Sequence, residues 1–253
     1  MKLSGEEIKH FKDHGYITNF FFERAECDFY KKHFEKLTKI YSESSYKGKL
    51  KDRIMNPHFI DETSRKILLN PNFFLYANQL LNSEVYGVQT MYFEKGSEQK
   101  YHQDDFYLNR TIGFWIALDD VDESNGSISL QQESHKYDAI SPESLGIKNP
   151  QLLEDELRYS NKLFEVYLNN KNNMKLRDKI VNLKKGNGII FDGRLIHCGL
   201  PIINKKKKRR VIVCHYLESN SRWPYINWPL FCENGNHKVN GIFDKNNLHP
   251  NKI

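Results

Sequence analysis

The spacing of hydrophobic and polar residues divides the chain into a helical N-terminal part and a longer region of strands. Apolar residues recur at helical intervals in residues 4–13 and 23–41, and again after the Asn70-Pro71 pair. From Val85 onward, short β-branched and aromatic runs are separated by turn residues, which indicates strands. We predict a single domain over residues 1–253, with a mainly helical flank at 1–82, a β core at 85–218 and a C-terminal tail at 219–253.

Connections between the predicted strands carry further expectations. Asn125-Gly126 is a strong turn signal between the runs TIGFWIAL and SISLQ, so we expect these strands to be antiparallel neighbours. Residues 137–173 contain a polar stretch and a helical pattern near 151–159, and we interpret them as an insertion between strands. The aromatic stretch 223–229 either covers a pocket as a lid or packs the C-terminal tail onto the core.

Composition and charge exclude several classes of protein. No stretch approaches the roughly 20 apolar residues that a membrane-spanning helix needs. The N-terminus lacks the apolar run of a signal peptide, so we expect a cytoplasmic protein. The four cysteines are widely spaced and indicate neither a disulfide framework nor a cysteine zinc site. The net charge of +6 owes much to residues 205–210, a basic run without the interleaved aromatics of a nucleic-acid site. We predict a solvated turn there, and neither nucleic-acid nor membrane binding.

Three residues form a candidate metal site. His102 and Asp104 follow a predicted strand, and residues i and i+2 of an extended chain project from one face. By the same parity, Asp104 is preferred to Asp105. His197 ends a short run after the apolar strand in GNGIIFDGRLIHCG. Two imidazoles and one carboxylate on one face of a non-haem iron leave positions open for a co-substrate and O2.

Arg209 opens the strand pattern RRVIVCHYL, after the turn that follows His197. Antiparallel pairing would bring its guanidinium into the same cavity, and a planar guanidinium suits a carboxylate ligand. Arg209 shares its strand parity with Val213 and His215, whereas Arg210 belongs to the opposite set. Either set suits an interior face, so parity alone leaves the choice of arginine open.

Taken together, these segments resemble the phytanoyl-CoA hydroxylase-like family of Fe(II)- and 2-oxoglutarate-dependent dioxygenases. The resemblance covers residues 4–220 and rests on DHGYI, YHQDDFY, FWIALDDVDESNGSISLQQESHK, KKGNGIIFDGRLIHCG and RRVIVCHYL. It implies a mainly β fold with flanking helices, whose core is a double-stranded β-helix, a cupin-like jelly roll. It also implies Fe(II), 2-oxoglutarate and O2 as cofactor and co-substrates of a hydroxylase that releases succinate and CO2.

Specific roles follow from the resemblance. The family's iron ligands correspond to His102, Asp104 and His197. Its arginine for the distal carboxylate of 2-oxoglutarate corresponds by spacing to Arg209 rather than Arg210, and Trp115 and Met91 would border this co-substrate. Because the carboxylate ligand occupies the position that a halide would need, we expect hydroxylation or a related oxidation.

The substrate is expected to be a small molecule, and its identity and the oligomeric state are not readable from the sequence. Residues expected to line the substrate pocket are Phe93, Tyr101, Phe106, Tyr107, His135 and Arg194. His135 suits a structural hydrogen bond equally well. Two other functional classes are open: a zinc-dependent cupin-like hydrolase or isomerase with the same ligands, and a catalytically silent barrel that acts as a binding module.

Overall fold

The computed structural model of the protein describes residues 2–43, 49–50, 53–96, 99–137, 139–141, 143–145, 164–169, 172–173, 175–223, 225–239 and 241. Its helices are α1 (Gly5–His14), α2 (Arg24–Glu43), α3 (Glu62–Leu68), α4 (Pro71–Leu81), α5 (Asp105–Leu108) and α6 (164–169). Its strands are β1 (Tyr16–Phe20), β2 (Lys49–Leu50), β3 (Arg53–Met55), β4 (Val85–Phe93), β5 (Thr111–Ala117), β6 (Ile128–Gln131), β7 (Asp178–Val181), β8 (Asn187–Asp192), β9 (His197–Gly199), β10 (Val211–Glu218), β11 (Leu230–Phe231) and β12 (His237–Lys238).

Two antiparallel sheets enclose a shared interior. The larger has the order β1-β8-β5-β10-β4-β11-β12, with β3 also paired to β4 and β2 to β3, and the smaller has the order β7-β6-β9. Their inner faces meet in one hydrophobic cluster, which includes Trp115 and Val213 from the larger sheet and Ile128 and Leu130 from the smaller. This arrangement confirms the expected mainly β jelly-roll core with flanking helices.

The helical flank covers the outer face of the larger sheet. Phe114 on β5 and Tyr216 on β10 pack against Phe73 and Phe74 of α4, with centroid distances of 5.0 Å for both the Phe73–Phe114 and Phe74–Tyr216 pairs. Because both faces of this sheet are covered, every residue of β5 is buried. A strand buried on both faces has the continuous apolar pattern that is seen in TIGFWIA.

The first helix begins and ends where the sequence predicts. The Ser4 hydroxyl accepts from the Glu7 amide at 3.2 Å, and the Glu7 carboxylate accepts from the Ser4 amide at 2.7 Å, which completes the capping box. Gly15 ends the helix with φ of 85°. An added Cβ there would stand 2.5 Å from Nδ1 of His135, so the position needs glycine for both its backbone and its contact.

The N-terminal flank contains more strand than expected. β1 pairs with β8, and β3 pairs with β4. Residues 1–82 therefore supply strands to the larger sheet as well as helices. The segment YITNF of β1 is too short to stand out beside the strong helical patterns on either side of it. The single domain with its three segments stays a prediction.

One expected strand pairing is wrong. β5 lies between β8 and β10 in the larger sheet, whereas β6 lies between β7 and β9 in the smaller one. The connection turns at Asn125-Gly126 as predicted, and the Asn125 amide donates to the carbonyls of Asp120 (2.8 Å) and Lys208 (3.1 Å). The residues before this turn make the connection long enough to cross from one sheet to the other, so a turn signal alone does not specify a hairpin.

Other segments agree with expectation where the structure describes them. Trp228 donates from Nε1 to the Val88 carbonyl of β4, which confirms that the C-terminal aromatic stretch packs onto the sheet. The lysines of the basic run, residues 205–208, form an exposed turn in which Lys207 pairs with Asp122 at 2.7 Å, whereas Arg209 near the end of the run is buried. The helical pattern near 151–159 lies outside the described residues. Within the described chain, no helix has the length and apolar character needed to cross a membrane.

Candidate metal centre

His102, Asp104 and His197 meet at one place in the structure. Asp104 Oδ1 lies 3.7 Å from His102 Nε2 and 3.9 Å from His197 Nε2. One ligand atom from each residue lies within 4.8 Å of the others. The backbones of the two histidines form a bridge, in which each amide donates to the other's carbonyl at 2.9 and 3.0 Å. This pairing holds the loop that contains His102 against the start of β9.

Asp104 joins the cluster by a different route from the one expected. Asp104 directly precedes α5, and its backbone already has helical dihedral angles, with φ of −68° and ψ of −32°. The strand-parity reason for preferring it to Asp105 is therefore wrong. The helical turn instead directs Asp105 away, where Oδ1 accepts from the amide and hydroxyl of Thr111, each at 2.8 Å. Burial, followed by the nearby Asp192, raises the pKa of Asp105 to about 8.

Backbone carbonyls orient both imidazoles. Nδ1 of His102 lies 2.8 Å from the Lys100 carbonyl oxygen, and Nδ1 of His197 lies 2.9 Å from that of Leu195. A carbonyl oxygen only accepts, so each Nδ1 carries the hydrogen and each Nε2 presents a lone pair toward Asp104. Partners of this kind fix the tautomer and the ring orientation of metal-binding histidines.

The charge state of the cluster suits a divalent cation. Burial, followed by the neighbouring His197, lowers the pKa of His102 to about 3, so its imidazole is neutral at physiological pH. Burial acts to raise the pKa of Asp104, but the interactions with His215 and His197 outweigh it, and the pKa lies below its usual range. Two imidazoles and one ionised carboxylate fit non-haem Fe(II), and the same donor types also bind zinc.

A fourth residue at the cluster was missed by the sequence reasoning. His215 on β10 is 1% exposed, and its Nε2 lies 2.9 Å from Asp104 Oδ2. Its strand parity had already placed it on the same face as Arg209. The sequence signal for this residue is a histidine among the apolar residues that alternate along one face of β10.

Interior side chains of the larger sheet form layers, because paired residues on neighbouring strands lie at one level. The layer next to the cluster consists of Gln89, His215, Gly113 and Phe191. The following layer consists of Met91, Val213, Trp115 and Ile189. In the first layer the Phe191 ring covers Gly113, where an added Cβ would stand 2.4 Å from it. The same ring packs edge-on against the His197 imidazole at a centroid distance of 4.8 Å.

Arg209 extends into this interior from the residues just before β10. It is 3% exposed, and its guanidinium carbon lies 5.3 Å from the centre of the Trp115 ring. Its Nε has no hydrogen-bond partner, and no acidic side chain of the described residues forms an ion pair with it. Burial lowers the pKa of Arg209 to about 10. A buried cation without an acidic partner is costly, so the position fits an anionic ligand.

Comparison with known proteins decides the family. A family model described as phytanoyl-CoA dioxygenase (PhyH) matches residues 11–211. The chain belongs to the phytanoyl-CoA dioxygenase family. This membership confirms the resemblance and places the chain in a family of dioxygenases, as the sequence predicts.

Known relatives of this phytanoyl-CoA dioxygenase family member share its sequence or its fold. The phytanoyl-CoA dioxygenase domain-containing protein 1 homolog of Caenorhabditis elegans is 25% identical over 199 residues, which cover 73% of this chain and just under two thirds (66%) of that protein. The carbocyclase SnoK from nogalamycin biosynthesis has a TM-score of 0.67 at 16% identity, with 87% of this chain and 86% of SnoK covered. EctD from S. alaskensis, solved with bound Fe, also has a TM-score of 0.67, at 17% identity, with 87% of this chain and 79% of EctD covered.

The two adjacent arginines of this family member have different surroundings. Arg210 donates from Nε to Asp119 at 2.8 Å and from Nη1 to Glu35 at 2.6 Å, on the side of the sheet that faces the helices. Its charge is therefore balanced within the protein, in contrast to that of Arg209. Met91, which was expected near the co-substrate, lies in the same layer as Trp115. Val213 of β10 stands between them, paired with Met91 on β4 and with Trp115 on β5.

The six candidates for the substrate pocket are divided between aromatic and polar residues. Phe106 lies on α5 directly after the metal cluster, and its ring centre is 5.0 Å from that of Tyr107. Phe93 belongs to the interior cluster with Trp115. The Tyr101 hydroxyl donates to Asp178 at 3.0 Å.

The two polar candidates make structural contacts. His135 Nε2 lies 3.1 Å from the Lys12 carbonyl at the end of α1. Arg194 donates to both carboxylate oxygens of Asp192, each at 3.2 Å. The second ring nitrogen of His135, Nδ1, is buried without a hydrogen-bond partner among the described residues. The role of both side chains in substrate binding stays a prediction. Arg53 on β3 was not singled out by the sequence; its guanidinium carbon lies 6.0 Å from the Phe93 ring.

Proposed function

We propose that this member of the phytanoyl-CoA dioxygenase family binds Fe(II) through His102, Asp104 and His197, and uses 2-oxoglutarate and O2 to hydroxylate or otherwise oxidise a small molecule. The observation that carries the proposal is the convergence of two imidazoles and one carboxylate in one buried cluster, with one ligand atom from each residue within 4.8 Å of the others. When bound, Fe(II) supplies the oxidising chemistry, in which 2-oxoglutarate becomes succinate and CO2 while the substrate is oxidised.

The co-substrate site is assigned to Arg209, with Trp115 and Met91 beside it. Trp115 belongs to the interior layer after that of His215, so the guanidinium over its ring is separated from the ligand cluster by roughly one layer, about 7 Å of strand. A short dicarboxylic acid can extend from the cluster to this guanidinium. Its distal carboxylate would supply the acidic partner that Arg209 lacks among the described residues.

The substrate side of the site is assigned to the four aromatic candidates, Phe93, Tyr101, Phe106 and Tyr107. Apolar walls exclude water from the reacting atoms and favour binding of a small molecule over bulk solvent. We place this activity in the cytoplasm and expect no nucleic-acid or membrane partner. A hydrolase or isomerase with zinc at the same ligands is the second possibility by donor type, but membership of a dioxygenase family favours the oxidative reaction.

The experiment is an anaerobic titration of metal-free protein with Fe(II) and then 2-oxoglutarate, followed by visible absorbance. A chelated complex has a charge-transfer band, which we expect in the wild type and not in Asp104→Ala or His197→Ala. Asp105→Asn is the matched control, because Asp105 is the adjacent carboxylate but points to Thr111. We expect the control to retain the band.

Two results would contradict the proposal. A band of wild-type intensity in Asp104→Ala and His197→Ala would remove these residues from the ligand set. The second result is a folded wild type that shows no band. Tight zinc binding by that protein would favour the hydrolase or isomerase class, and weak metal binding would favour a binding module. Succinate formation under air, measured on the same variants, gives an independent check of the ligand assignment.

A further inference from the structure

We propose that His215 is a positioning residue for the metal site: it holds one oxygen of the Asp104 carboxylate, so that the other oxygen faces the two imidazoles. The inference rests on the proposed function, because it concerns the same ligand set. His215 touches neither His102 nor His197 in the contacts described above, and it acts through Asp104 alone. It is therefore distinct from the three ligands.

Each of the three ligand side chains makes a hydrogen bond through the polar atom that does not face the other two ligands. Backbone carbonyls hold Nδ1 of His102 and of His197, at 2.8 and 2.9 Å. For Asp104 the corresponding partner is a side chain, since Oδ2 accepts from His215 Nε2 at 2.9 Å. Oδ1 remains within 3.9 Å of both ligand imidazoles. The two oxygens of the carboxylate thus have separate roles, one toward the metal position and one toward β10.

The fold makes His215 a rigid support. β10 lies at the centre of the larger sheet, paired with β4 on one side and β5 on the other. The pairing with β4 shifts by one residue between His215 and Tyr216, so Val88 has no partner on β10. Such irregularities occur beside active sites, where they direct a side chain. On the β5 side, His215 is paired with Gly113, and the space that a side chain there would fill is taken by the Phe191 ring.

Holding Oδ2 has a consequence for coordination. A carboxylate with one oxygen already engaged as an acceptor binds a metal most readily through the other oxygen alone. Without His215, the Asp104 carboxylate could rotate and present both oxygens, and so occupy a position needed by a co-substrate or O2. His215 therefore fixes the orientation of Asp104 and preserves the open positions, as partners of metal ligands do in general.

Two substitutions separate the hydrogen bond from the space that the imidazole fills. His215→Phe retains a ring without an N–H, and His215→Gln retains an N–H donor without a ring. His58→Phe is the matched control, because His58 is likewise fully buried and likewise makes a side-chain contact, at 2.8 Å to Thr90 Oγ1, but lies on the opposite side of the sheet. Should His215→Phe fail to fold, His215→Leu deletes the donor with a smaller side chain.

The readout is binding of Co(II) alone, followed by its visible ligand-field spectrum under anaerobic conditions. We expect His215→Phe to weaken Co(II) binding by about 10-fold to 100-fold and to alter the spectrum. We expect His215→Gln to recover most of the affinity, and His58→Phe to bind as the wild type does.

Wild-type affinity and spectrum in His215→Phe would overturn the positioning role, as would equal losses in His215→Phe and His58→Phe. Equal losses in His215→Phe and His215→Gln would also overturn it, because they would show that the donor is not what matters. Asp104→Ala, titrated in parallel, separates the two levels of inference. If Asp104→Ala binds Co(II) normally, the proposed ligand set itself fails; if it does not bind while His215→Phe binds normally, only the positioning role fails.

Discussion

The two faces of the larger sheet are built from the same strands but have opposite chemistry. On the outer face, Phe114 and Tyr216 pack against helices, and their ring centres are 5.2 Å apart. On the inner face, neighbouring positions of the same strands carry His215 and, just before β10, Arg209. Packing alone does not explain a buried guanidinium that has no acidic partner among the described residues. The comparison therefore assigns stability mainly to the outer face and function to the inner one.

The largest expected effect comes from the outer face. Phe114→Ala removes a fully buried ring that contacts Phe21, Phe73 and Tyr216, so we expect the free energy of unfolding to fall by about 3–5 kcal/mol. Denaturant unfolding of the metal-free protein measures this change. Metal affinity of the folded fraction should be unchanged, because the ring points away from the ligand cluster. A loss of metal affinity with little loss of stability would contradict the division between the two faces.

On the inner face, we expect a substitution to change the free energy of unfolding less, and in the opposite direction. Arg209→Met replaces a buried, unbalanced cation by an apolar side chain of similar length, so stability without 2-oxoglutarate should be equal or higher. The same variant should require about 10-fold to 100-fold more 2-oxoglutarate, since a charge-assisted hydrogen bond contributes about 1.5–3 kcal/mol. Titration of the Fe(II) complex with 2-oxoglutarate measures the requirement.

Arg210→Met is the matched control for this prediction. Arg210 is adjacent in sequence but its charge is balanced by Asp119 and Glu35. Its replacement removes the shortest ion pairs of both carboxylates and, among the described residues, leaves them only lysine partners, Lys31 at 3.3 Å from Asp119 and Lys208 at 3.8 Å from Glu35. Stability should therefore fall, while the 2-oxoglutarate requirement stays near that of the wild type. The reverse pattern in the two variants would show that the wrong arginine has been assigned to the co-substrate.

These two arginines also show what the sequence could and could not predict. Parity along β10 correctly grouped Arg209 with His215, but it could not say which group faced the interior, because both groups consist mainly of buried apolar residues. That choice depends on contacts across the sheet: the helices and Asp119 lie on one side, and Trp115 lies on the other. Long-range packing of this kind leaves no local signal in the chain.

Asp104 gives the complementary lesson. The sequence selected the aspartate that joins the cluster, but for a reason that the backbone does not support, since the chain turns into α5 instead of remaining extended. Motif spacing therefore predicted the site better than local conformation did. The prediction that β5 and β6 pair was wrong for a related reason. Turn residues specify that the chain bends, but not which sheet the next strand joins. The helix ends at Ser4 and Gly15, by contrast, depend on neighbouring residues alone and were predicted correctly.

The smallest expected effect concerns pH and a histidine on the outer side. His58 is completely buried, and burial, followed by the charge of Arg65, holds its pKa well below the ordinary value. Well above pH 6.5 the residue is neutral in both the folded and the unfolded chain and contributes no pH dependence. As the pH falls below about 6.5, the unfolded chain binds a proton that the folded protein does not, so stability decreases by up to about 1.4 kcal/mol per pH unit.

His58→Gln should reduce this slope, because a glutamine retains polar atoms near Thr90 but does not titrate. Denaturant unfolding of the metal-free wild type and variant at pH 7.5 and pH 5.5 gives the two slopes. We expect the variant to lose less stability over this interval, with little change in metal affinity at pH 7.5. Equal slopes would mean that His58 accepts its proton in the folded state, and that the outer face tolerates a buried charge as the inner face does at Arg209.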